Sequence, residues 1–192
     1  MNEVFLRYLD PGFRYVWTQG PARVRSREDA LRDGLNCVAL AHLVTRDLFG
    51  YTLPASYQSL ELVRDREHFE PVAGPGRMRA GDLVWLGVDR PPVRLEDFIP
   101  QYRGDELLNF TEFPVNHVAI CTGMREDDDH VLLHASKADG TNALWPLREF
   151  GQHDRYSRIY SIQRLRQEFR HREAGRACPP RRTGTGSRSW SL

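Results

Sequence analysis

The stretch HVAICTGMREDDDHVLLHA, residues 117–135, contains the pattern that decides the fold. Residues 117–122 and 131–135 form two short runs of β-branched and aliphatic side chains, and glycine and charged residues separate them. Runs of this kind predict two strands, and the polar segment 123–129 between them predicts a hairpin connection. The two strands are therefore expected to be antiparallel neighbours.

On either side of this stretch, residues 82–86 (DLVWL) and 158–165 (RIYSIQRL) predict two more strands. Residues 89–115 contain four prolines and little periodicity, which predicts a long loop over the sheet. A loop of that length in a compact domain is often functional.

The clearest helix precedes the strands, at residues 36–48. One helical face carries a continuous apolar row, made of Cys37, Leu40, Ala41, Val44 and Leu48. Asn36 is a favoured N-cap residue, and Gly50 stands where a helix ends in a left-handed turn. A second helix is predicted over residues 56–69. Helices followed by a run of strands predict an α+β fold.

The composition fits one folded domain with a distinct C-terminal end. The chain has 192 residues, of which 40% are hydrophobic, so we expect a single domain over residues 1–170. Residues 161–192 contain eight arginines and two glutamates. Residues 171–192 lack apolar periodicity, which predicts a basic, disordered tail.

The remaining composition limits partners and location. Basic residues number 27 and acidic residues 26, which argues against a nucleic-acid-binding protein. No apolar run could span a bilayer and no secretory signal precedes the domain, so we expect a cytoplasmic protein without a membrane partner. Three cysteines with wide spacing and no CxxC pair predict neither a disulfide framework nor a zinc knuckle. We expect no cofactor.

Cys37 at the first turn of the predicted helix is the strongest chemical signal. Backbone N–H groups and the partial positive charge at a helix N-terminus stabilise a thiolate, and the same groups can bind an oxyanion. A thiol nucleophile also needs an imidazole that takes its proton and later protonates the leaving group. A buried structural cysteine is the alternative, because Cys37 also continues the apolar row.

The predicted hairpin supplies two histidines. Strand alternation allows His117 and His134 to share one face of neighbouring strands, which suits a base and the residue that orients it. Asp139 is a rival for the orienting role, and Asn116 is a weaker one. A metal site can be drawn from His117, His130, His134 and Cys121, but no HxH, HExxH or CxxC spacing supports it.

Five segments in order resemble an NlpC-type papain-like cysteine peptidase of the NlpC/p60 superfamily. They are YVWTQG at 15–20, NC at 36–37, AGDLVW at 80–85, HVAI at 117–120 and LHAS at 133–136. In that bacterial family, a tyrosine motif precedes a cysteine at a helix start. A Gly-Asp-Leu strand follows, then a strand with the catalytic histidine, then a His-Ala pair. The resemblance covers about residues 15–147.

The resemblance implies a papain-like fold in which the helix that carries the nucleophile packs on a central antiparallel sheet. It also implies that Cys37 is the nucleophile, that His117 is the base and that His134 orients the base. Tyr15, Trp17 and Asn36 are expected near the nucleophile, on the oxyanion or substrate side.

The implied activity is acyl transfer from an amide or ester through a Cys37 thioester, on a small peptide or peptide-like substrate. The family usually has Asp-Cys-Ser-Gly at its nucleophile, whereas this chain has Asn36-Cys37-Val38, so residues that help to bind cell-wall stem peptides are absent. A γ-glutamyl or peptidoglycan stem peptide and a specialised metabolite both remain candidate substrates. Hydrolysis and transfer of the acyl group to an amine both remain candidate reactions. The non-enzymatic alternative is a degenerate papain-like binding or assembly module, with the basic tail docking it to an acidic partner.

Overall fold

A six-stranded antiparallel sheet organises the fold. The computed structural model describes residues 3–88, 98–103, 106–107 and 113–170. The strands of the sheet are β1 (Phe69–Pro71), β2 (Leu83–Gly87), β5 (Val115–Glu126), β6 (Asp129–Ser136), β7 (Thr141–Pro146) and β8 (Arg158–Leu165). Their spatial order is β1-β8-β2-β5-β6-β7. The four strands predicted from the sequence are all present, and the α+β class is confirmed.

Five short or medium helices precede, or lie between, the strands. Their bounds are α1 (Glu3–Leu6), α2 (Arg27–Asp33), α3 (Cys37–Phe49), α4 (Ser59–Arg64) and α5 (Leu147–Gln152). α3 packs against β5 and β6, and α5 packs against β6 and β7. The helix that begins at Cys37 therefore lies directly on the strands that carry the two histidines.

The ends of α3 follow the predicted caps. The Asn36 side chain accepts a hydrogen bond from the Ala39 N–H, and Gly50 takes a left-handed conformation with φ of 69°. Most of α3 is buried, because a second apolar row joins the one seen in the sequence. Gly81 has φ of 87°, and a Cβ there would lie 2.3 Å from Phe49 Cζ, so this glycine permits the close approach of β2 to the end of α3.

The helix predicted over residues 56–69 is wrong over more than half its length. Only Ser59–Arg64 is helical, and Phe69 begins β1. The Asp65 side chain ends the helix, because its carboxylate accepts hydrogen bonds from the backbone N–H groups of Glu67 and His68. These bonds compete with helical ones, so the chain turns into a strand.

The β5–β6 hairpin is tighter than predicted. Residues 123–126 extend β5, and only Asp127 and Asp128 form the turn, with φ of 48° and 63°. Two successive residues with positive φ are typical of a type I′ turn, whose twist matches that of the flanking strands. The antiparallel pairing predicted for this hairpin is confirmed by the register Ile120↔Leu133 and Cys121↔Leu132.

The predicted loop 89–115 lies partly outside the described residues. Within it, β3 (Tyr102–Arg103) and β4 (Glu106–Leu107) form a separate two-stranded pair, and Val115 already belongs to β5. The predicted tail, residues 171–192, lies wholly outside the described residues.

Apolar side chains cover both faces of the sheet. One core lies between α3 and the sheet and includes Trp85, whose indole N–H donates to Gln163 Oε1 at 2.6 Å. The Gln163 amide in turn donates to the Val63 carbonyl at 2.8 Å, which fixes the end of α4 to β8. A smaller core on the opposite face includes Phe150 and Tyr156. Among the described residues, every helix is too short or too polar to cross a membrane.

Candidate functional site

His117 and His134 are in direct contact. They lie on β5 and β6, and His117 Nε2 is 3.0 Å from His134 Nδ1, with the ring planes at 89° to each other. Both rings are buried. Because Nε2 of His117 is hydrogen-bonded to His134, the other ring nitrogen of His117, Nδ1, is the one that could bond a second partner.

Cys37 lies at the start of α3, against the same part of β5. The backbone N–H groups of Val118, Cys37 and Val38 are near enough to the Cys37 sulfur to lower the pKa of its thiol, and Val118 is the residue after His117. The residue is 4% exposed, and it lines a cavity of about 840 Å³. The structure thus places the cysteine beside the strand that carries His117 and at the wall of this cavity.

The electrostatics hold both candidate reacting groups neutral. Burial raises the pKa of the Cys37 thiol, although the three N–H groups oppose this shift. Burial also lowers the pKa of His117 well below its usual 6.5, with further lowering from His134 and His153. A position at a helix N-terminus by itself predicts a lowered thiol pKa. The pKa of Cys37 is raised instead, because the effect of desolvation is larger than that of the N–H groups.

An aromatic cluster surrounds the two histidines. The Tyr156 ring stacks on His117, with the ring centroids 4.5 Å apart. His153 also stacks on Tyr156, with the centroids 4.3 Å apart. The rings of Trp145 and Phe150 pack against the His134 ring, with centroid distances of 4.5 and 4.8 Å. These rings fix the orientation of both imidazoles and contribute to their desolvation.

Tyr156 also connects the histidines with the cysteine. Its pKa is raised, first by burial and then by the charge that an ionised Cys37 would carry. None of the four aromatic residues around the histidines was singled out from the sequence. A signal was available, because residues 145–156 place four aromatic or imidazole rings directly before the last strand.

His134 Nε2 is a buried atom that makes no hydrogen bond with any described residue. If His117 Nε2–H donates to His134 Nδ1, then His134 carries its own proton on Nε2, against the aromatic rings. An N–H group beside an aromatic ring is a weakly favourable contact. This tautomer leaves Nδ1 of His117 unprotonated, as a general base requires.

The other residues predicted beside the nucleophile lie around the start of α3. Tyr15 forms a parallel β-bridge with Leu35, and its pKa is raised by burial and by Cys37. Trp17 is 54% exposed and lines the cavity. Asn36 also lines it, but its side chain is engaged on both sides, because Nδ2 donates to the Trp17 carbonyl while Oδ1 caps α3.

Among the described hydrogen bonds, neither rival for the orienting role is bonded to the His117 ring. Asp139 is exposed in the turn between β6 and β7, where its backbone N–H donates to Ser136 Oγ. Asn116 precedes His117 but makes no side-chain hydrogen bond with a described residue, and its Oδ1 atom is buried. Of the three candidates, His134 is the one within hydrogen-bonding distance of the His117 ring.

Two further sequence features have structural roles. Asp82 of the Gly-Asp-Leu motif accepts hydrogen bonds from Arg164 at 2.7 and 2.8 Å, which joins β2 to β8. His130 is 3.8 Å from the Cys121 sulfur, away from the His117 pair. In the described part of the chain, no three His, Cys, Asp or Glu side chains are grouped as metal ligands would be.

Neither a protein-family model nor a curated protein matches this chain.

Proposed function

We propose that this chain is a cysteine-dependent amide hydrolase with a papain-like fold of the NlpC/p60 type. Cys37 is the nucleophile, His117 the general base and His134 the residue that orients the base. The observation that carries the proposal is the 3.0 Å contact between His117 Nε2 and His134 Nδ1 on β5 and β6, the two strands on which the helix that begins at Cys37 packs.

The mechanism begins from a neutral pair. The thiol of Cys37 transfers its proton to Nδ1 of His117 as the sulfur attacks the substrate carbonyl. Nε2–H of His117 donates to His134 throughout, so the positive charge that develops on His117 is stabilised by a fixed acceptor. His117 then protonates the leaving amine, and the acyl group stays on the sulfur as a thioester.

Groups at the start of α3 would stabilise the oxyanion. The first-turn N–H groups of Cys37 and Val38 lie near the sulfur, and the helix N-terminus favours negative charge there. The Tyr15 hydroxyl is close enough to Cys37 for the thiolate charge to affect its pKa. Water activated by His117 resolves the thioester, and an amine in its place gives acyl transfer.

The substrate is a small peptide or peptide-like molecule. Cavity residues are mostly neutral, and Arg23 and Glu61 are the charged side chains among them. Both a γ-glutamyl or muropeptide stem and a specialised metabolite with an amide bond fit such a cavity.

The test is product formation from defined amides. We would incubate the protein with muropeptides, γ-glutamyl amides and a dipeptide library, with and without hydroxylamine, and follow the products by mass spectrometry. We expect cleavage, a hydroxamate from the trapped acyl group, and loss of both in Cys37→Ser and His117→Ala. An activity that survives in Cys37→Ser would contradict the proposal.

A second candidate is a catalytically degenerate binding or assembly module on the same fold. Burial favours it, because Cys37 and His117 are only 4% and 3% exposed and burial raises the pKa of the thiol. If the folded protein cleaves none of the amides and Cys37 resists alkylation, this candidate replaces the enzyme.

A further inference from the structure

Asn116 lies at a β-bulge in β5, the strand that also carries His117. In the β2–β5 ladder, Leu86 is opposite His117, but the next residue, Gly87, is opposite Val115. Asn116 is therefore the extra residue of β5 and has no partner on β2. Bulges of this kind re-aim a side chain and are common next to active sites.

The side chain of Asn116 lies at the wall of the same cavity as Cys37. Its carboxamide makes no hydrogen bond with any described residue, and Oδ1 is buried. Native structures satisfy most buried polar atoms, so an unsatisfied one calls for an explanation. Asn36, the other asparagine of the cavity, has both ends of its carboxamide in use.

We propose that Asn116 binds the amide group of the substrate and makes the site selective for an acyl donor with an N–H over an ester of the same shape. This inference rests on the proposed function. The Asn116 carboxamide has one acceptor and one donor end, which matches the N–H and the carbonyl of an amide. Rotation about χ2 presents either end to the cavity with little change in shape.

Discrimination follows from the unpaired acceptor. Once rotation about χ2 has turned Oδ1 toward the cavity, an amide that enters gives this atom the N–H donor that it lacks in the described structure. An ester of equal size presents an oxygen in place of that N–H, so the acceptor stays unsatisfied. Sites built to bond an N–H reject analogues without one more strongly than apolar cavities reject a change of size.

The test compares two alkylating reagents on Cys37. Iodoacetamide carries an amide N–H, and methyl iodoacetate has an ester at the same position. Rates are measured by intact mass and peptide mapping in a Cys178→Ser background and are divided by the rates with glutathione, which removes the intrinsic difference in reactivity. We expect the corrected rate with iodoacetamide to be about tenfold higher.

Asn116→Leu keeps the side-chain size but removes both hydrogen-bonding groups, so the corrected rates should become equal. Asn116→Ala is the second variant if the first does not fold, and it should also make the corrected rates equal. Gln152→Leu removes an exposed carboxamide from α5, away from the cavity, and should keep the preference. Equal corrected rates in the protein that keeps Asn116, or a preference that survives in Asn116→Leu, would overturn this inference. Neither result would contradict the proposed function. If neither reagent labels Cys37 until the protein is unfolded, the proposed function fails as well.

Discussion

The pKa of Cys37 is set by a competition between burial and three backbone N–H donors, and burial is the stronger influence. We predict that alkylation of Cys37 by iodoacetamide rises with a midpoint above the ~8.5 of a free thiol. His117→Ala should slow labelling near pH 7, because the neutral imidazole assists loss of the thiol proton, but should change little well above the midpoint. A midpoint below that of glutathione would instead show a preformed thiolate–imidazolium pair.

His134 and Asp139 differ sharply in what they can do for His117. We predict that His134→Leu lowers kcat/KM at least 100-fold, because His117 loses the acceptor that fixes its tautomer. His134→Asn keeps an acceptor oxygen and should retain more activity, whereas Asp139→Asn should change kcat/KM less than threefold. Steady-state kinetics on the amide found by screening, with circular dichroism as the folding control, measures both effects. Equal losses in the two positions would contradict the assignment.

Some residues of the candidate site could be predicted from the sequence, but their contacts and the direction of the Cys37 pKa could not. Cys37, His117 and His134 were predicted at a helix start and on two strands, and the structure has them on those elements. The stack of Tyr156 on His117 could not be predicted, because Tyr156 follows α5 in a segment without periodicity. Nor could the direction of the Cys37 pKa, since burial depends on how the whole cluster packs.

Asn36 joins α3 to the segment before it. Asn36→Ala should lower the free energy of unfolding by about 1–2 kcal/mol, because it removes the N-cap and the hydrogen bond to the Trp17 carbonyl. Asn36→Asp keeps an oxygen for the cap and loses only the Trp17 bond, so its cost should be smaller. Urea unfolding measures both. Equal costs would show that the cap contributes nothing.

The β5–β6 turn holds two aspartates in left-handed conformations. Glycine adopts positive φ without a Cβ penalty and is preferred at the second position of a type I′ turn, so Asp128→Gly should stabilise the protein by roughly 0.5 kcal/mol. Asp128→Val is the matched control and should destabilise it by about 1 kcal/mol, because a β-branched side chain is strained there. Thermal unfolding distinguishes the two, and a loss of stability in Asp128→Gly would contradict the turn geometry.

The elements that the sequence predicts well are those with strong periodicity or strong caps. α3 and β8 have nearly the predicted bounds, because their patterns extend over at least eight residues. β7 (TNALWP) was missed because its burial is partial and its pattern does not alternate cleanly. The end of β5 was missed because Arg125 and Glu126 are charged residues on an exposed strand end, which resemble a loop.

Three buried neutral histidines make the whole fold sensitive to acid. Burial lowers the pKa of His42 to about 4 and that of His134 to about 3, and the pKa of His117 is also well below 6.5. Below pH 6.5 the unfolded chain therefore binds protons that the folded chain does not. The free energy of unfolding should fall as the pH drops from 6.5 toward 4, by about 1.4 kcal/mol per pH unit for each such histidine.

His42 isolates this effect because it lies outside the site. Its Nε2–H donates to the Tyr57 carbonyl, and His42→Gln can keep that bond without a titratable ring. Between pH 6 and 4 the variant should lose stability less steeply than the unmodified protein, by about 1.4 kcal/mol per pH unit. Urea titrations at several pH values give the two slopes. Parallel slopes would show that His42 is protonated in the folded state.

The position of β8 ties the site to the order of synthesis. β8 lies between β1 and β2, and Phe69 pairs with Leu165, a residue made 96 positions later. On the ribosome, a chain exposed only as far as residue 157 already contains α3 and both histidine strands, but β2 is still an open edge and β1 has no neighbour. Because domains complete their folding only when such distant strands meet, the sheet that carries His117 and His134 is complete only after the last described strand has emerged.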